Sequence, residues 1–370
     1  MYVFQHGIIA SSGGGANPNF LMTIDTTKAG SSSDTFILPC FNIGTYNAVI
    51  DWGDGSTSEI TTYNDADLTH VYSSGGTYQI SISGSLPRIN FANSGDKLKV
   101  ISIDNWGVLP FTTFESSFRG CTNLDILATD SPDFSVITSM EGAFHTCTSL
   151  TNFPFNNADF TNVTAWNNTG LPSFYNCTSL NNLDFNGMLM RTASSYNFNA
   201  IFNNCTSLSS VIGFNTLNVS KITSITDLFN NTSLTTIDLS NLDFSSCTSF
   251  LRAFWVISEL TYVDVTDMVI NTISNTSFQQ AFQGLGVCDI VGMDTWNIAK
   301  VISFLNFCQG TTITTTEYDK LLIAWDSQDA VNSLSVNFGS SQYTLGGAAE
   351  TARANLISTD LWTITDGGGI

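Results

Sequence analysis

Basic residues are scarce in this chain. Eleven Lys and Arg stand against thirty-one Asp and Glu among 370 residues, a net charge of −20. Such a surface repels nucleic acid and anionic membranes, so a nucleic-acid role is excluded as the working reading. It suits cationic partners, divalent ions or plain solubility. Histidine is rarer still, at positions 6, 70 and 145. No Gly-x-Ser-x-Gly elbow, phosphate loop or His-Glu-x-x-His motif is present. The acids offer no spacing that singles out a glycosidase pair. The expectation is therefore a protein that is not an enzyme. The eight cysteines include no Cys-x-x-Cys, which removes a zinc site from consideration. No stretch approaches the roughly 20 apolar residues that cross a bilayer, so no membrane insertion is expected. The first residues lack a basic n-region and an apolar core, and no secretory signal is predicted there.

What is abundant is repetition. The phrase Phe118-Arg-Gly-Cys121-Thr-Asn-Leu124 returns at Phe144, Phe174 and Phe202, each time with Cys-Thr-Ser-Leu following. A copy at Phe229 has lost its cysteine. The leucines at 98, 124, 150, 180, 208, 234 and 260 are separated by 26, 26, 30, 28, 26 and 26 residues. A fixed period in this range marks a solenoid, whose units bury their apolar faces only against neighbours. After each leucine comes a short alternating run, such as Leu234-Thr-Thr-Ile-Asp-Leu, which reads as a strand with one face inward. The segments ahead of each Phe, residues 136–140 and 222–225 among them, have room for one or two helical turns. Cys121, Cys147, Cys177 and Cys205 fall at one position of the repeat. Identical positions on parallel neighbours point the same way, which is poor geometry for a bridge, so buried free thiols are expected.

The Phe-x-x-Cys-Thr-Ser-Leu phrase with its Leu-x-x-Leu-Asp-Leu partner resembles the BspA-type leucine-rich repeats of bacterial and mycoplasma surface proteins. The resemblance covers roughly 210 residues and implies a binding surface. The last copies are worn, and most lack the family's Met before the Phe.

Residues 17–92 read as short strands between turns, a small β-sandwich. Asp51-Trp-Gly-Asp-Gly-Ser56 and His70-Val-Tyr72 in this segment resemble the PKD-type immunoglobulin-like domain. Asp51 and Asp54 offer clustered oxygens for Ca²⁺, or else accept amides within the turn; calcium is the one cofactor considered. Residues 1–16 begin with an apolar patch and a Gly/Ser run. His6-Gly-Ile-Ile-Ala-Ser-Ser12 is similar to the opening of phage tail and fibre proteins, which implies a docking peptide that contacts other virion proteins. Residues 93–310 carry the repeats, with 93 to about 110 as a worn first coil whose strand is 98–104. In 311–370 the phrase stops. Helices are predicted at 314–325 and 347–357, strands at 333–338 and 361–365, together sealing the last coil.

The fold expected is thus mainly β with short helices: a PKD-like β-sandwich, a leucine-rich-repeat solenoid and a C-terminal α/β cap. Outward strand positions Asp125, Asn182, Asp184, Thr236, Asp238, Tyr262 and Asp264 are the candidate binding residues. The expected role is that of a phage virion fibre or spike, on the virion surface, that contacts a host surface protein or glycan; the absence of a signal or sorting motif favours it. The alternative is an exported bacterial surface adhesin of the same repeat type. A glycan-degrading spike is a third, and homo-oligomerisation stays open.

Overall fold

A computed structural model describes residues 17–370 apart from 131, 272 and 274. The proposed docking peptide, 1–16, lies outside the described residues. The protein is mainly β. Among the described residues there are two α-helices, α1 (Thr315–Asp326) and α2 (Ala348–Ser358), both close to the predicted positions.

The N-terminal unit contains β1 (Phe20–Asp25), β2 (Thr35–Ile37), β3 (Asn47–Asp51), β4 (Thr57–Ile60), β5 (Thr69–Val71) and β6 (Thr77–Ser85). Alternation explains them. In β1, Phe20, Met22 and Ile24 are buried while the residues between are half exposed, and Ile80 and Ile82 of β6 face the same core. β2 and β5 form a separate antiparallel pair. The main sheet does not stop at residue 92. Its order is β4-β3-β6-β1-β7-β8, with β7 (Val100–Asn105) and β8 (Asp125–Ile126) supplied by the first two repeats. β1 pairs with β7 antiparallel, and β7 with β8 parallel. The first coil's strand edge is thereby covered, as an edge beside open solvent requires.

A buried ion pair locks this junction. Lys99 and Asp96 are fully buried, 3.9 Å apart. The Lys99 ammonium donates to the hydroxyl of Ser31 and to the carbonyls of Ser32 and Thr35 at 2.7–2.9 Å. The Asp96 carboxylate accepts the Ser31 and Ile37 amides at 2.6 and 2.7 Å.

Beyond the junction, successive repeats lie parallel and in register. Strand Thr236–Asp238 pairs with Tyr262–Asp264, which pairs with Asp289–Val291. Strand Asn182–Asp184 pairs with Ser210–Ile212 in the same way. Phenylalanines stack inside. Centroids of Phe118, Phe144, Phe174, Phe202, Phe229, Phe254 and Phe282 follow one another at 5.3–5.9 Å with planes within 26°. Phe91 begins this column.

The expected short helix in each repeat is not formed. Ser139 bridges Ala165, Ser224 bridges Ser249, and Ser249 bridges Ser277, all parallel, so these segments are extended and form a second ladder. Their Val, Ile and Thr residues favour that state. Only single 3₁₀ turns remain, such as Phe134–Val136. The Asp-Phe-Ser/Thr connectors are explained by the turns they make. Asp133, Asp159 and Asp243 each accept the amide two residues on.

All eight cysteines are unbridged. The thiols of Cys147, Cys177 and Cys205 donate to the carbonyls of Phe118, Phe144 and Phe174 in the coil before, at 3.1–3.2 Å. Burial pushes these thiols up, Cys205 to about 12. Ellman's reagent at pH 8 is therefore expected to titrate no thiol rapidly in the native protein, since burial pushes even the half-buried Cys40 up to about 12, and eight in guanidinium. Rapid native reaction of three or more would contradict the buried column.

One position in each phrase has positive φ. Two residues after the Phe stand Gly120, Thr146, Asn176, Asn204, Asn231, Val256 and Gly284, all with φ between 55° and 79°. Gly and Asn adopt this region at little cost, whereas the β-branched Thr146 and Val256 are strained in it. Val256→Asn is expected to raise unfolding free energy by about 1 kcal/mol. Urea denaturation checks it, and a lower midpoint would refute the strain.

The C-terminal region does more than seal the stack. Val336 bridges Phe304 in parallel, and strand Ser335–Asn337 pairs in parallel with Thr363–Thr365. Each of these added units carries a helix. Trp325 of α1 stacks on Phe304 at 4.8 Å and donates to the Met293 carbonyl.

Candidate repeat-surface site

The seven strand candidates do not converge on one patch. Thr236, Asp238, Tyr262 and Asp264 share the three-stranded sheet with Asp289. Asn182 and Asp184 lie in the two-stranded sheet, and Asp125 in β8. Four of them are engaged in building the fold. Asp125 accepts the amide and hydroxyl of Thr151 in the next coil, each at 2.9 Å. Asp184, Asp238 and Asp264 each accept an amide two residues on, closing the connector turn. Asn182, Thr236 and Tyr262 are exposed. Burial, then the carboxylates of Asp264, Asp289 and Asp238, raise the Tyr262 phenol.

Asp51 and Asp54 serve their own turn. Asp51 accepts the Gly53 amide at 2.9 Å, and Asp54 the Ser56 amide and hydroxyl at 3.0 and 2.5 Å. Gly53 has φ 80°, and a Cβ there would lie 2.4 Å from the Gln79 carbonyl oxygen. His70 contacts the second Asp54 oxygen at 2.9 Å and stacks on Trp52 at 4.8 Å. Tyr72 donates to the Trp52 carbonyl at 3.0 Å. Among the described residues, no three His, Cys, Asp or Glu gather as a metal site. The Ser56 hydroxyl, above all, with His70 holds the Asp54 carboxyl down at about 2. A depressed carboxyl contributes stability that is present above pH 4 and lost as pH falls toward 2. Asp54→Asn is expected to flatten this part of the acid limb in urea titrations. An unchanged limb would show that the turn does not hold the charge.

A different surface was not legible beforehand. The residue after each stacked Phe forms a stripe: Arg119, His145, Tyr175, Asn203, Asn230, Trp255 and Gln283. The carbonyl of each from His145 onward accepts an amide from the preceding coil, Gly120 to His145, Thr146 to Tyr175 and so on to Gln283. His145 is half-buried in this stripe and stacks on Tyr175 at 5.0 Å. Burial lowers its pKa, and Arg119 adds to this. An open cavity of about 330 Å³ lies along the stripe, bounded by Tyr175 and Trp255. The phrases Phe254-Trp-Val-Ile257 and Phe282-Gln-Gly-Leu285 lack the cysteine, and their phenylalanines alone could have revealed them.

Residues 89–210 and 173–284 match the family described as Mycoplasma protein of unknown function, DUF285. Together the matches reach from 89 to 284, more than half of the 370 residues. The chain belongs to the DUF285 family. No curated protein matches it. The DUF285 match begins beside Phe91, where the aromatic column starts, and takes in the copies at Phe254 and Phe282. No helix among the described residues is long and apolar enough to cross a membrane.

Proposed function

We propose that this DUF285 protein is a non-enzymatic surface adhesin. In this reading its parallel coils are a BspA-type leucine-rich-repeat solenoid, and the N-terminal unit is a PKD-like spacer joined to it. The observation that carries the reading is the in-register pairing of 236–238 with 262–264 and 289–291. It supports a rigid array on which weak contacts add. The family match favours the exported bacterial surface protein over the virion fibre, whose support is the resemblance at 6–12. A non-catalytic role is supported by the histidines. His70 is tied to Asp54 and Trp52, and His145 to Tyr175. The partner in this reading is a host surface protein or glycan.

Protease shaving of intact cells of the source organism, followed by mass spectrometry, tests the location. Peptides from the coils are expected in the shaved fraction. Their recovery from purified virions, with none from the envelope, would replace the adhesin by the fibre.

A further inference from the structure

We infer that the stripe beside the phenylalanine column is a binding groove for an uncharged oligosaccharide, lying between Tyr175 and Trp255. This rests on the adhesin reading and moves the contact from the strand face to the phrase turns. Three properties of the groove point to this ligand. First, its ends are aromatic. Tyr175 has His145 against its ring, Trp255 has the Arg252 guanidinium 5.7 Å from its centroid, and both indole and phenol line the cavity. Flat rings that are part exposed offer their faces to the C–H groups of a pyranose.

Second, the floor is made of amides. Asn203, Asn204, Asn230 and Asn231 line it. The Asn204 amide donates to Asn176 and the Asn231 amide to Asn204, a ladder along the coils. The Asn203 side chain has no hydrogen-bond partner among the described residues, although it is half-buried. A primary amide both donates and accepts, which matches sugar hydroxyls that do the same.

Third, no carboxylate lines the groove in a chain with thirty-one of them. Asp227, which accepts the side-chain amide of the floor residue Asn230 at 3.2 Å, is neutralised by two bonds from Arg252 at 2.9 Å. A charged polymer has nothing to pair with there, whereas a neutral one meets no desolvation cost for buried charge. The coil pitch, given by ring spacings of 5.6–5.9 Å from Phe174 to Phe254, is of the order of one pyranose length. A linear glycan running along the stack would place about one sugar per coil. The cavity volume lies at the lower end of the range for small-molecule sites, near 300 Å³.

The test is titration calorimetry and tryptophan fluorescence with cellohexaose, chitohexaose and maltohexaose, and with polygalacturonate as the charged comparison. At least one neutral hexamer is expected to bind and change the fluorescence, and polygalacturonate is not. Trp255→Ala and Tyr175→Ala are each expected to weaken binding tenfold or more. Asn203→Asp, which removes a donor without opening a cavity, is expected to weaken it severalfold at unchanged melting temperature. Asp238→Ala on the strand face should leave it unchanged. No binding by any hexamer, or binding indifferent to Trp255 and Asn203, would overturn the groove. Capture of a host peptide through Trp255 with no sugar binding would also overturn it. Attachment of the protein to host cells with no hexamer bound would sink the groove and keep the adhesin. Sugar binding without cell attachment would do the reverse.

Discussion

Phe202→Ala is expected to lower the melting temperature by roughly 10 °C and to split unfolding into two transitions. Phe202 is fully buried in the middle of the column, stacked at 5.7 Å on Phe174 and 5.6 Å on Phe229. Phe155 and Phe185 meet its ring edge-on. Truncating a buried Phe costs about 3–5 kcal/mol, because the ring's transfer energy is lost and the surroundings collapse only in part. In a domain of this size each kcal/mol moves the midpoint by about 2–4 °C. The second effect follows from connectivity. The ring stack runs from each coil to the next, so weakening one interface is expected to uncouple the halves on either side. Calorimetry of the full chain checks both. A single sharp transition within 3 °C of the unmodified protein would mean the column does not carry the fold.

Asp96→Ala is expected to be as damaging, by about 3–5 kcal/mol, through electrostatics. It leaves the Lys99 ammonium fully buried with only neutral carbonyl and hydroxyl oxygens, and it orphans the Ser31 and Ile37 amides. The double change Asp96→Ala with Lys99→Met removes the stranded charge, so part of the loss is expected to return. Urea unfolding followed by Trp52 and Trp106 fluorescence at the N-terminal end measures it. The single change should loosen the 31–37 loop and the β1–β7 seam before the distant coils. A double variant no better than the single would show that the pair's charges are not the cause.

The period was readable because a stack needs the same residue type at the same place in every coil. Phe118, Phe144, Phe174 and Phe202 announce themselves, and so do the cysteines, whose thiols bond the carbonyls of the coil before. The copies at Phe254 and Phe282 were hidden for a physical reason. Ile257 and Leu285 fill the cysteine's place in the core, and burial asks for apolar volume rather than for sulfur. The extended second ladder was misread as helical because its hydrogen bonds go to other coils, which local spacing does not show.

The candidate surface was less legible. Outward strand positions were identified by alternation, but Asp125, Asp184 and Asp238 turned out to close turns and join coils. Carboxylates near backbone amides are drawn inward by the donors they meet, and those donors are known only from the fold. Tyr175 and Trp255 are eighty residues apart, and their shared place after the phrase's Phe is masked because the Phe254 copy lacks the cysteine.

What the sequence alone determined is the mainly β character, the repeat length, the apolar column and the two C-terminal helices, all set by local pattern and periodic burial. Only the tertiary structure decided that the N-terminal sheet runs on into the first coils. It alone also placed Lys99 against the 31–37 loop and set two aromatic rings over one amide floor. Such arrangements depend on which distant backbone edges meet, and stacking at a pitch of about one ring spacing is what brings them together.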